Sequence, residues 1–317
     1  MKITNQKAEL IKHDKHPYML ISEAAHTCYK AEPYDEDRLD LATNFVKRLY
    51  ESGHLTTLEH EYVYFLLDDL TLKALKNCKN HNEFDDDVQD IESIEAIKYI
   101  NFAGRYVSGS FRAWIDLLKE CPIGNIEAAL ANKYPEFFRK VEDPWNPAGA
   151  YMISREELID LNPKGIEKLI PHTFRLTTSR AVANELVRHR ANITFSQESQ
   201  RYVGYDKDKF GNQIEVITPL IDTDSSAYND WHYAMLMAET QYMNLRKAGL
   251  PPEIARGVLP NDCKTELVVT ATEKEWQHII NLRYYGTTGK PHPQMKELMG
   301  LILPILHKNL TKKDTTF

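Results

Sequence analysis

The sequence predicts an α+β protein in which helices predominate over a few short strands. Apolar residues recur at helical spacing in two windows, 37–50 and 226–248. The six-residue run Tyr62 to Leu67 is short, aromatic and apolar, which favours a strand. A second such run, Thr265 to Thr270, leads into a helical pattern that continues to residue 283.

In chain order, residues 1–30 predict a strand, then a short helix or turn around Ala24 to Tyr29. A helix is expected from Asp37 to Tyr50, because Ala42, Phe45, Val46 and Leu49 share one face. Gly53 stands where a C-cap would fall. Residues 71–100 carry an acidic run, Glu83 to Asp90, and predict a solvated helical excursion. Residues 120–165, rich in Pro, Asn and Glu, predict a second insertion. From Thr177 the pattern turns helical, with Val182, Ala183, Leu186 and Val187 at i,i+4 spacing before Arg188-His189-Arg190. Ser226 to Ala248 predicts a long helix with Trp231, Met235, Ala238, Tyr242 and Leu245 on one stripe. Gly249 would cap it, and Pro251-Pro252 prevents its continuation. A last helix starts near Pro293, and no internal repeat is present.

The chain has 317 residues, of which 42% are hydrophobic, enough for a substantial core. Its formal net charge of -7 disfavours non-specific nucleic-acid binding. Cys28, Cys78, Cys121 and Cys263 are scattered without a CxxC pair, which reads as reduced thiols. The N-terminus lacks the apolar run of a signal peptide, and no stretch approaches the ~18 apolar residues of a membrane span. A soluble, cytoplasmic protein is expected.

Three constellations could carry chemistry. Arg188, His189 and Arg190, with Ser196, Gln197, Ser199 and Arg201 downstream, offer bidentate and hydroxyl donors suited to an anion. The alternative is an Arg-rich helix end complementing its own dipole. The segment Gly53 to His60 places polar groups at a loop-to-strand junction, where ligands often bind. His54, Glu59 and His60 could instead hold a metal, although their spacing is not that of HExxH. Thr57 or Glu59 could also simply cap. Arg256 and Arg283 are single cations in apolar surroundings and require either a bound anion or an acid such as Glu253, Glu266 or Glu275. There is no GxGxxG or Walker loop, and nothing marks His26 as a base for Cys28.

These segments, in this order, resemble the flavin-dependent thymidylate synthases, also called thymidylate synthase complementing proteins. Ser179 to Arg190, continuing through Phe195 to Tyr202, resembles the family signature, an RHR followed by a serine and a closing RY. His54 to His60 resembles its HxTxxEH element, and Ser108 to Trp114 its (S/N)GxxRAW segment. Arg256 to Pro260 and Asn281 to Arg283 resemble its RxxLP and LR elements.

The resemblance implies one domain over 1–317, with insertions near 71–100 and 120–165. Its helices would pack on a small, mostly antiparallel sheet, and the chain would assemble as a homotetramer. It further implies reductive methylation of dUMP to dTMP with FAD, methylene-tetrahydrofolate as carbon donor and NADPH as reductant. A related dUMP-hydroxymethylating enzyme or an inactive nucleotide-binding relative is the alternative. The implied FAD contacts are His54, Thr56, Glu59, Arg188, His189, Arg190 and Gln197, with Thr272, Lys274 and His278 on a neighbouring subunit. The implied dUMP contacts are Glu185, Arg188, Gln197, Glu198, Ser199, Gln200, Arg201 and Arg256. Arg283, at the uracil ring, would be catalytic, and no metal is implied. Thr272 and Lys274 stand where the family has Asn and Arg. Eight residues, Ala191 to Glu198, separate the RHR from Ser199 where the family has seven, so a bulge is expected.

Overall fold

The computed structural model describes residues 1–13, 16–78, 100–138 and 148–311. Strands β1 (Lys2–Thr4) and β2 (Lys7–Ile11) open the chain. Helices α1 (Pro17–Tyr29) and α2 (Leu39–Glu51), a 3-10 segment Leu55–His60 and strand β3 (Tyr62–Leu67) follow. Next come α3 (Asp69–Asn77), β4 (Ile100–Ala103), β5 (Tyr106–Ser110), α4 (Phe111–Glu120), α5 (Gly124–Lys133), β6 (Ala150–Ile153) and α6 (Arg155–Leu161). The second half carries β7 (Pro171–Ser179), α7 (Arg180–Leu186), β8 (Ile193–Gln197), β9 (Glu215–Ile217), α8 (Ser226–Lys247) and α9 (Pro252–Ala255). It ends with β10 (Lys264–Thr272), α10 (Glu273–Ile280) and α11 (Pro293–Thr311).

The α+β class and the mostly antiparallel pairing hold, with the strands of the described residues divided among three sheets. One sheet, in the order β2-β7-β10-β8, is antiparallel throughout. Strand side chains alternate between faces, so Phe174 and Leu176 point with Leu267, Val269 and Ala271 into one core. Val182 and Leu186 of α7, Trp276 of α10 and Met299 of α11 close that core. The opposite face carries Thr173, Thr270 and Ser196, and Val268 there meets Leu20 and Ala24 of α1.

A second antiparallel sheet, β4-β5-β3-β6, packs Phe65 against Trp114 and Phe111 of α4. Gly109 permits this approach, since a Cβ there would lie 3.0 Å from the Trp114 indole nitrogen and closer still to Ile100. The third sheet is the parallel pair β1-β9, whose Val216 shares a core with Met235 and Tyr242 of α8.

Three strands turn directly into helices through one device. The last strand residue uses its side-chain oxygen as an N-cap, satisfying an otherwise unpaired amide. Ser110 accepts from the Ala113 N–H at 3.2 Å, Ser179 from Val182 at 3.3 Å and Thr272 from Glu275 at 3.4 Å.

Several expectations are corrected. The opening segment forms two strands and a 13-residue helix instead of one strand and a short turn. Thr177 belongs to a strand, and α7 begins only at Arg180. β-Branched Thr173, Thr177 and Thr178 favour the extended chain, and pairing with both β2 and β10 fixes it there. No bulge interrupts β8, where Ile193 to Gln197 pair in unbroken register with β10; the irregular residue is Asn192, at φ 45°. Cys78 and Cys121 are joined by a disulfide rather than being free. They lie 43 residues apart, beyond any local pattern, and the fold brings the ends of α3 and α4 to a Cα separation of 5.8 Å. Cys28 and Cys263 are free thiols. The acidic run Glu83 to Asp90 lies outside the described residues.

The long helix runs close to its expected span. Gly249 follows it at φ 88°, and its N–H donates to the Arg246 carbonyl, while Leu250 N–H reaches back to Leu245. Among the described residues, no helix is long and apolar enough to cross a membrane.

Candidate functional site

Helix α7 buries Val182, Ala183 and Leu186, which leaves Glu185 and the following Arg188-His189-Arg190 turned away from the core. Arg283 joins them from a point 94 residues further on. It sits in a π-helical turn, Asn281–Tyr285, that prolongs α10, a kind of irregularity common at functional sites. Gly286 ends this turn at φ 72°, where a Cβ would meet the Gly289 carbonyl at 2.8 Å.

The Arg283 Nε donates to His189 Nε2 at 3.1 Å, and its Nη1 lies 3.7 Å from a Glu185 oxygen. Of the acids weighed from the sequence, none takes Arg283; Glu185 does. The His189 imidazole is pushed down to about 4 by burial, with Arg283 and His278 adding to the effect. It is therefore neutral at pH 7, and since Nε2 accepts, Nδ1 carries the proton. The His278 ring lies 6.4 Å from that of His189. His189 and His278 thus meet within one chain. Arg188, Arg190, Lys274 and His278 are exposed, and Arg188, Arg190 and Lys274 have no ion-pair partner among the described residues. Thr272 is buried, with its hydroxyl committed to the α10 cap.

The segment Gly53 to His60 divides into two parts. His54 and Thr56 are exposed, and His54 Nδ1 meets the Ser52 hydroxyl at 3.0 Å. Glu59 and His60 turn inward. The Glu59 carboxylate accepts from Arg112 at 2.6 Å and from the Thr194 hydroxyl at 2.9 Å. His60 bridges two strands, with Nδ1 at 2.8 Å from Thr270 Oγ1 and Nε2 at 2.9 Å from Ser196 Oγ. Thr270 continues to Thr173, and Thr173 to His13. No His60 ring nitrogen is left for a metal, and among the described residues no group of three or more His, Cys, Asp or Glu could hold one.

His60 gives a pH prediction. Burial, with a smaller effect from His13, holds its imidazole near about 3 instead of 6.5. Below pH 6.5 the unfolded chain binds a proton that the folded chain refuses. Stability is therefore full above about 6.5 and declines as pH falls, at roughly 1.4 kcal/mol per unit. Urea denaturation should show a loss of roughly 2 kcal/mol between pH 6.5 and 5 from this residue. His60→Asn should flatten that slope; an unchanged slope would show that other groups carry it.

After β8 the chain makes the turn Ser199 to Tyr202. Ser199 N–H donates to the Cys28 carbonyl at 3.0 Å, and its Oγ accepts from Arg201 N–H at 3.2 Å. Gln197 Nε2 donates to Thr265 Oγ1 at 3.3 Å. Arg201 is exposed, 3.6 Å from Glu253 and over the Tyr202 ring. Glu253 lies three residues before Arg256, also exposed, so these two cations border one face. Gln200 is largely buried, and Glu198 is turned inward at 2% exposure. Sequence reasoning missed Arg180, Lys264 and Tyr205, which support this turn. A lysine opening an apolar strand was the available signal.

Comparison with known proteins follows the same outline. The model of the thymidylate synthase complementing protein family matches residues 9–89 and 155–310. The intervening residues include β4, β5, α4, α5 and β6. The flavin-dependent thymidylate synthase of Pyrococcus abyssi is 30% identical over 149 residues, 44% of this chain and 60% of that one. The probable flavin-dependent thymidylate synthase of Mycobacterium phage L5 is 30% identical over 193 residues, 56% of this chain and 73% of that one. Across the Pyrococcus and Geobacter relatives the chain spans 50–60% of their length. A solved structure of the UMP/dUMP methylase PolB from Streptomyces cacaoi, bound with 5-Br dUMP, covers 98% of this chain at 13% identity and TM-score 0.40, too low to carry an argument.

Proposed function

The chain belongs to the thymidylate synthase complementing protein family, and on that premise we propose that it reductively methylates dUMP to dTMP, with FAD bound, methylene-tetrahydrofolate as carbon donor and NADPH as reductant. The observation that carries this reading is the Glu185–His189–Arg283 cluster, flanked by the exposed cations Arg188, Arg190 and Lys274.

An anionic dinucleotide requires unpaired donors, and Arg188, Arg190 and Lys274 would supply them, with His278, His54 and Thr56 as further exposed polar groups. When bound, a flavin supplies hydride transfer and one-carbon reduction. Arg283 would stabilise charge on the uracil carbonyls, which raises electron density at C5. A guanidinium suits this because it stays charged and donates in plane. His189, neutral, holds Nε of that guanidinium and fixes its plane, while Glu185 steadies Nη1. Ser199, Arg201 and Arg256 would take the nucleotide phosphate, with Gln197 and Gln200 beside it. Glu59 positions its segment through Arg112 and Thr194.

We read the chain as one elaborated domain. A homotetramer fits the outer face of α8, where Tyr233, Leu236 and Met237 are exposed on the side opposite Met235 and Tyr242.

The deciding experiment is the visible spectrum of purified protein. Oxidised flavin should be present, and NADPH with dUMP should bleach it anaerobically. Protein that stays colourless when FAD is supplied would overturn the assignment. Product analysis separates a methyl from a hydroxymethyl outcome.

Arg201→Ala and Arg256→Ala should each weaken dUMP by roughly ten- to a hundredfold, from a lost charge-assisted contact of about 1.5–3 kcal/mol, with FAD affinity little changed. Equilibrium titration measures both; wild-type dUMP affinity in the two variants would make these cations structural.

A further inference from the structure

The Ser199–Tyr202 turn stands on a buried charged cluster that the proposed chemistry does not use. We propose that Lys264, Glu198 and Tyr205 form a positioning device for the nucleotide-binding turn, and that Glu198 acts by holding the turn, not by touching the nucleotide. This rests on the reading of Gln197, Ser199, Gln200 and Arg201 as nucleotide ligands.

Glu198, Lys264 and Tyr205 are 2%, 6% and 5% exposed. Lys264 Nζ donates to Glu198 Oε2 at 3.3 Å and also to Glu266; the Tyr205 hydroxyl donates to Glu198 Oε1 at 3.2 Å. Both carboxylate oxygens are thereby taken. The backbone is gripped as well. Glu198 N–H donates to the Glu266 carbonyl at 2.9 Å, and its own carbonyl accepts from Arg180 Nη1 at 3.1 Å. The same Arg180 nitrogen reaches Thr265 Oγ1 at 3.1 Å, where the Gln197 amide also donates.

One residue is therefore held through its side chain and both main-chain polar groups. Strand alternation at the end of β8 places the Gln197 side chain on the other side of the chain from the Glu198 carboxylate. Two carboxylates keep the Lys264 ammonium charged in spite of its burial. A buried ion pair of this kind contributes little net stability against an apolar replacement, while removal of one partner strands the other charge. Its retention beneath the turn is better explained by geometry than by stability.

The test uses flavin-loaded protein and three variants, Lys264→Met, Glu198→Gln and the double variant. Lys264→Met should lower dUMP affinity by about tenfold or more, since small misplacement of binding groups has large effects. FAD occupancy should stay at the wild-type level. Hydrogen exchange at the Ser199 and Val203 amides, both bonded within or beneath the turn, should accelerate by about tenfold. The double variant should show both losses as well, because the Lys264–Glu198 link is absent from it even though no charge at 198 is left stranded. Wild-type affinity and exchange in folded Lys264→Met would overturn the proposal, as would a double variant restored to wild type in both readouts, which would assign the single variant's losses to the stranded Glu198 charge. If Lys264→Met does not fold, Glu198→Gln carries the same two readouts, and no change in either overturns the proposal. If wild-type protein binds no dUMP, the ligand reading falls, and amide exchange alone decides whether the cluster holds the turn.

Discussion

Arg283→Lys should leave flavin reduction by NADPH intact while dTMP formation falls by ~100-fold or more. The guanidinium makes two directed contacts at once, from Nε to His189 and from Nη1 toward Glu185. Its remaining N–H groups lie in the same plane and are the ones available to a uracil ring. An ammonium keeps the charge but has no planar fork, so it cannot hold His189 and serve a ring carbonyl in one geometry. If the charge on the ring grows toward the transition state, the loss appears in the chemical step rather than in binding. A preorganised donor of this type is worth about 2.7–4 kcal/mol. A single-turnover assay following flavin colour and dTMP in one sample separates the steps. Parallel loss of both half-reactions would mean that Arg283 holds the fold or the flavin. Loss of neither would mean that the ring is activated by another group.

The largest expected effect on stability lies at Trp276. Trp276→Ala should cost about 3–5 kcal/mol, the range for removal of a large buried side chain. The indole is fully buried and packs edge-on against Phe174, ring centroids 5.1 Å apart. Its Nε1 donates to the His172 carbonyl at 2.9 Å, so α10 is tied to the sheet by both packing and a hydrogen bond. Trp276→Phe keeps most of the apolar volume but loses the indole donor to the His172 carbonyl, which its β10 neighbour Ala271 still pairs, and should cost about 0.5–1.5 kcal/mol. Urea midpoints at constant slope measure both. A cost below about 1 kcal/mol for the Ala variant would show that α10 does not rest on this side chain. Because α10 runs directly into the turn bearing Arg283, a destabilised α10 should loosen the Arg283–His189 contact as well.

Local periodicity and end signals made parts of this protein legible from sequence. The long helix α8 with its Gly249 stop, the strand β3 and the Arg188-His189-Arg190 turn all follow from residues close to one another in the chain. The family outline was legible too, because its motifs are short and ordered. Strand β7 was not, since a threonine-rich run is committed to the extended form only by partners on both sides. The Cys78–Cys121 bond depends on where two helices end in space, which no spacing of 43 residues encodes.

The same division runs through the candidate site. Residue types and their order along the chain were set by the sequence: cations after α7, hydroxyls and amides after β8, an arginine near residue 283. Which of them face outward was decided by tertiary structure. Glu59 and Glu198 look like ligands in sequence, yet Arg112 and Lys264 draw both carboxylates inward. Arg283 looks available to several acids, yet a turn after α10 delivers it to His189 and Glu185. The physical reason is that a charged or polar side chain tolerates burial only where a partner meets it, and that partner is as often far along the chain as near.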